Sequence, residues 1–101
     1  MGYKFHRIDQ NQKKIVKRFR ELGCVVAITS SIGNGFPDLV CRHPWSDKIL
    51  MIEIKDGDKP PSAQKLTPAE MKFHDDWAGC VYIIKSEAEA GDLVMRVLGI
   101  C

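Results

Sequence analysis

Residues 48–55, KILMIEIK, constrain this chain more than any other stretch. From Ile49 to Ile54 every residue but Glu53 is large and apolar, so neither face of a strand built here is polar until its far end. A strand that is apolar on both sides has to be covered on both sides, which favours helices packed on a sheet. Glu53 and Lys55 interrupt this run on one face, where removing a charge from water is expensive. They call for a reason other than packing.

The flanking sequence supplies the helices. The stretch DQNQKKIVKRFRELG, from Asp9, sets Ile15, Phe19 and Leu22 on one helical face with Val16 beside them, and it stops at Gly23, a residue suited to a C-cap. CVVAITSS then reads as a strand and Gly33-Asn34-Gly35 as a turn. DLVCRH and KILMIEIK follow as two more strands, joined through Pro44-Trp45-Ser46-Asp47. DGDKPPSAQKL, with two prolines and a glycine, reads as a loop. Thr67-Pro68-Ala69-Glu70 is a capping box with proline at the first helical position, so the spacing predicts a helix carrying Met71, Phe73, His74 and Trp77, with Phe73 and Trp77 expected in the core.

CVYIIK reads as a last strand and EAEAGDLVMRVLG as a last helix that buries Leu93, Val94, Val97 and Leu98. Gly91 inside that helix costs about 1 kcal/mol relative to alanine. The order α-β-β-β-α-β-α predicts an α/β fold, a small mixed β-sheet flanked by helices, in one domain over residues 1–101.

Composition excludes some classes and leaves others open. No apolar stretch approaches the roughly 20 residues of a membrane span, and MGYKFHRIDQ lacks the apolar core of a secretion signal, so no membrane partner and a cytoplasmic location are expected. Cys24, Cys41, Cys80 and Cys101 form no metal-binding spacing and are expected to be buried free thiols. The net charge of +2 is too small to establish a nucleic-acid partner, although 15 basic residues permit a local patch. Lys13, Lys14, Lys17, Arg18 and Arg20 on the first helix read as a solvated face.

If DLVCRH and KILMIEIK form an antiparallel hairpin with His43 facing Lys48, Cys41 pairs with Leu50, Val40 with Met51, and Asp38 with Glu53. Opposed side chains share a face with Cβ atoms about 4.5 to 5.5 Å apart. Lys55, two residues on, lies on that face as well. Two carboxylates so placed repel unless a cation or a proton intervenes. A hard divalent ion, Mg²⁺ or Mn²⁺, suits Asp38 and Glu53, with the backbone carbonyl of Ile54 as a further ligand. A solvated, salt-bridged strand end is the plainer alternative.

Pro37-Asp38 followed by Glu53-Ile54-Lys55 resembles the PD-(D/E)xK signature of the restriction-endonuclease-like nucleases. With IDQNQKKIVKRFRELGC, SSIGNGFPDLV, MIEIKDGDKPPSAQKLTPAEMKFHDDWAG and CVYIIKS, the chain resembles the stand-alone virus-type replication-repair nuclease (VRR-NUC) family of phages and bacteria over nearly its whole length. The resemblance implies a restriction-endonuclease-like core, metal binding by Asp38 and Glu53, action of Lys55 on the attacking water, and a supporting contact from Gln64. It also implies homodimers that cut branched DNA such as four-way (Holliday) junctions and leave a 5′-phosphate. A glutamate that relatives often carry on the first helix is replaced here by Lys14, with Asp9 or Gln12 as substitutes. Ser31, Gly33 and Gly35, with Ser30, are candidate contacts to the DNA backbone, where a plain turn is the alternative. Lys59 and Lys65 flank the proline-rich loop and are further DNA candidates. The competing function is a non-catalytic DNA-binding or scaffold module that keeps the nuclease fold.

Overall fold

The computed structural model describes residues 10–99. Helix α1 (Gln10–Glu21) buries Gln12, Ile15, Val16 and Phe19 and ends at Gly23, whose positive φ of 93° lets the chain reverse. There the Cys24 N–H bonds back to the Phe19 carbonyl and the Gly23 N–H to that of Arg20, the paired closure of a glycine-terminated helix. Strands β1 (Val25–Ile28), β2 (Leu39–Arg42), β3 (Ile49–Ile54) and β4 (Val81–Ile84) form one sheet in the order β1-β2-β3-β4. The first two pairings are antiparallel and the β3–β4 pairing is parallel, which gives the mixed sheet expected.

The crossover from β3 to β4 holds α2 (Pro61–Gln64) and α3 (Pro68–Asp76), and α4 (Glu87–Leu93) closes the order. Helix α2 corrects the reading of DGDKPPSAQKL as a plain loop: Pro61 tolerates the first helical position because it lacks only an N–H that would have no partner there. Gly91 does not interrupt α4, which runs on into a wider π-turn over Val94–Leu98 before ending at Gly99.

The two faces of the sheet differ. Leu39, Cys41, Leu50, Ile52 and Ile84 meet Ile15, Val16 and Phe19 of α1 and Ala90, Leu93 and Val94 of the last helix in one apolar cluster. On the opposite face, the registers place Val25, Arg42 and Ile49 in one row and Met51 and Val81 in the next, and Val25 and Ile49 are 64% and 60% exposed.

Several expectations change accordingly. Helix α3 buries no residue, and Trp77 is half exposed, stacked on Phe73 at 5.5 Å instead of entering the core. Phe73 in turn meets Phe36 edge-on at 5.2 Å. Cys24 and Cys41 are buried free thiols, whereas Cys80 is exposed because it sits in the turn before β4, and Cys101 lies outside the described residues. Among the described residues no helix is long and apolar enough to cross a membrane.

Candidate active site

The site is built where β2 begins and β3 ends. Val40 pairs with Met51 and Cys41 with Leu50, the register expected from the loop length, so the next position outward sets Asp38 beside Glu53. Thr29 extends this end of the sheet: its N–H donates to the Asp38 carbonyl and its hydroxyl to the Pro37 carbonyl, both at 2.8 Å. With its backbone held, Asp38 turns Oδ2 to accept the Ile54 N–H at 2.8 Å. Asn11, at the start of α1, donates to the carbonyls of Lys55 and Lys85 at 3.1 and 3.2 Å and so joins the ends of β3 and β4. The backbone around Lys55 is therefore fixed from both sides, because the Lys55 N–H also bonds to Ile84.

Glu53 is only 3% exposed, and its Oε1 is buried with no hydrogen-bond partner. Burial, then the charges of Asp38 and Glu70, push its carboxyl up to about 9, and Lys55 offsets only part of this. Burial also raises Asp38, although the Ile54 N–H and a hydrogen bond with Glu53 oppose the rise. These shifts favour the protonated form of Glu53, set between the Asp38 and Glu70 carboxyls. Lys55 Nζ lies 3.7 Å from Glu53 Oε2 and 2.9 Å from Glu70 Oε1. Burial works against its charge, but the bond to Glu70 and the carboxylates around it raise its pKa, so it stays an ammonium. Burial acts on Glu70 in the opposite direction to the Thr67 N–H and Lys55, and these hold its carboxyl below the usual range.

A divalent cation fits this chemistry. The orphaned, buried Glu53 oxygen beside the half-buried Asp38 carboxyl marks a place where positive charge is wanted. Among the described residues no group of three or more His, Cys, Asp or Glu side chains is disposed to enclose an ion. A Mg²⁺-type ion needs fewer, since one or two carboxylates commonly hold it while water and substrate phosphate complete the shell. Asp38 and Glu53 would be the two to hold such an ion, with the Ile54 carbonyl between Glu53 and Lys55 as a further candidate.

The other sequence-derived residues are placed differently. Gln64 donates its amide to the carbonyls of Lys59 at 2.6 Å and Gly57 at 3.3 Å, bracing the turn before α2. Gln12 is buried on α1 and donates to Ser30 Oγ at 3.2 Å, and Asp9 lies outside the described residues. Ser31 and Gly33 are exposed, as are Lys59 and Lys65. Gly35 has a packing role that the sequence did not disclose: a Cβ there would run into the Ala69 carbonyl and come within 2.8 Å of the Glu70 nitrogen. Sequence reasoning also missed Glu70 and Asn11 as parts of the site. Glu70 was visible only as the last member of a capping box, and Asn11 had no local signal.

An α/β sheet with an acid at the start of one strand, a second acid at the end of its neighbour and a lysine two residues further on defines the class of PD-(D/E)xK-like nuclease folds. A solved structure described as a "VRR_NUC domain" is similar to this chain with a TM-score of 0.64 and 26% sequence identity, over 87% of this chain and 94% of that one. No protein-family model and no curated protein matches the chain. The fold, the shared identity and the Asp38, Glu53 and Lys55 pattern support membership of the VRR-NUC family.

Proposed function

We propose that the protein is a divalent-metal-dependent endodeoxyribonuclease that hydrolyses phosphodiester bonds in branched DNA, four-way junctions included, and leaves 5′-phosphate ends. The observation that carries this reading is the buried Glu53 carboxylate with an unpartnered oxygen, held beside Asp38 at an open sheet end. An apolar interior gives no reason to keep such a group, whereas a cation does. The "VRR_NUC domain" likeness supports the same class of chemistry.

In this reading Asp38 and Glu53, with the Ile54 carbonyl, hold Mg²⁺ or Mn²⁺, which supplies Lewis acidity and a more acidic water when bound. Lys55 stays charged and faces the same spot, so it stabilises the attacking hydroxide and the negative charge that builds on the phosphoryl oxygens. Asp38 takes its orientation from the Ile54 N–H. Lys59 and Lys65, with Ser31 and Gly33 in the loop before Asp38, are exposed and in this reading contact backbone phosphates. The exposed Val25 and Ile49, on the part of the sheet face left open beyond the site, support pairing with a second copy, which gives a branched substrate two sites.

Incubating the purified protein with labelled four-way junction, flap and duplex DNA in Mg²⁺, Mn²⁺ or EDTA tests this. Cleavage is expected with either metal, none in EDTA, and none for Asp38→Ala, Glu53→Ala or Lys55→Ala. Binding without cutting under every metal condition would mark a DNA-binding module in place of an enzyme.

A further inference from the structure

Two carboxyl groups lie near the Lys55 ammonium, and the nearer is not in its own motif. Its ammonium is 2.9 Å from Glu70 Oε1 and 3.7 Å from Glu53 Oε2. The same Glu70 oxygen accepts the Thr67 N–H at 2.9 Å, while the Glu70 N–H donates to Thr67 Oγ1 at 3.2 Å. One carboxylate oxygen therefore closes the capping box of α3 and holds the lysine. That sharing ties the position of Lys55 to the position of the first turn of α3.

The first turn has its own seat. Helix α3 buries no side chain, so apolar packing does little to fix where it starts. Gly35, three residues before Asp38, lies against the Ala69–Glu70 backbone so closely that any side chain would collide. Its φ of 80° is also one that side chains disfavour. Phe36 then meets Phe73 one turn further along the helix. The loop that presents Asp38 thus also locates Glu70, and Glu70 locates Lys55.

We infer that Glu70 is a positioning residue for Lys55, set by the seat that Gly35 provides for the first turn of α3. This rests on the nuclease reading only for its kinetic consequence, since the geometric hold exists with or without cleavage. Lys55 has a flexible four-carbon stem, and an ammonium about 1 Å out of place forfeits about 100-fold in rate. Glutamine at position 70 keeps an oxygen that can accept both Thr67 N–H and Lys55. Alanine keeps neither bond.

The test compares Glu70→Gln, Glu70→Ala and Thr67→Ala in two readouts. The first is acetylation of Lys55 by an amine-reactive ester, followed by mass spectrometry with the exposed Lys13 as internal reference. Lys55 should label slowly in the native protein, in Glu70→Gln and in Thr67→Ala, and several-fold faster in Glu70→Ala. The second is junction cleavage, where Glu70→Ala should lower kcat by about 100-fold with KM little changed, and Glu70→Gln should recover to within about tenfold of the native rate. Thr67→Ala breaks the cap without touching Lys55 and should keep its kcat.

Slow labelling of Lys55 in Glu70→Ala would overturn the inference, as would a kcat loss in Thr67→Ala equal to that in Glu70→Ala, which would make the role a helix cap alone. A Glu70→Gln variant as inactive as Glu70→Ala, with a raised Mn²⁺ requirement, would overturn it in favour of direct metal binding. A native protein that cuts nothing, yet shows the labelling pattern above, would defeat the nuclease reading and leave the positioning role standing.

Discussion

The two faces of the sheet place opposite demands on the same four strands. On one, Leu39, Cys41, Leu50 and Ile52 pack against α1 and the last helix without a single charged side chain in the cluster. On the other, Glu53 near the end of β3 and Lys55 just after it meet Asp38 and Glu70, with aliphatic side chains left open beyond them. Alternation along one strand makes this division possible, because each residue added to one face leaves its neighbours on the other untouched. The first face supplies stability and the second can hold a costly arrangement. Chemistry tends to reside where folding alone would have chosen differently.

The largest effect should come from breaking the packed face. Phe19→Ala removes a fully buried ring at the centre of the cluster and should cost about 3–5 kcal/mol in urea unfolding, with all activity lost alongside the fold. Glu53→Gln attacks the other face and should act with the opposite sign. Glu53 is raised to about 9 in the folded protein from an ordinary value near 4.5, so its protonated form is the one the fold favours. The contribution to stability is full below about 4.5 and is lost as pH rises through about 9. Native protein should therefore weaken from pH 5 to pH 9, whereas Glu53→Gln should hold its stability and exceed the native protein at pH 9 by a few kcal/mol, on the order expected when a buried charge is removed. A parallel decline in both proteins would locate the frustration elsewhere.

Smaller effects sharpen the comparison. Gly35→Ala should destabilise by about 1–3 kcal/mol, from the clash with α3 and the left-handed backbone, and should lower cleavage further than its stability loss explains. Thr67→Ala should cost about 1 kcal/mol through the cap alone. Both can be read by thermal unfolding beside the cleavage assay.

How much of this was legible depended on sequence distance. The β2–β3 register followed from one hairpin loop, because a short connection leaves few ways to pair its strands, and with it came the meeting of Asp38, Glu53 and Lys55 on one face. The bond from Glu70 spans 15 residues to Lys55, and a capping box already accounted for that glutamate, so nothing local asked for a second role. Asn11 reaches 44 residues to the Lys55 carbonyl, a contact that only the assembled sheet creates. Trp77 was misplaced for a related reason: an apolar residue at helical spacing reads as core whether or not the opposing surface closes over it. Gln64, which the VRR-NUC resemblance named, braces the loop with its amide, whereas Glu70, which no site motif named, touches Lys55.

The sharing of one cation by Asp38 and Glu53 is most directly tested by calorimetric titration of Mn²⁺ into the native protein, Asp38→Asn and Glu53→Gln at pH 7, in buffers of different ionisation enthalpy. The ion should displace the proton that Glu53 carries at that pH, so the native protein should release about one proton per ion, and neither variant should bind measurably. Binding without proton release, or undiminished binding in both variants, would contradict the shared site.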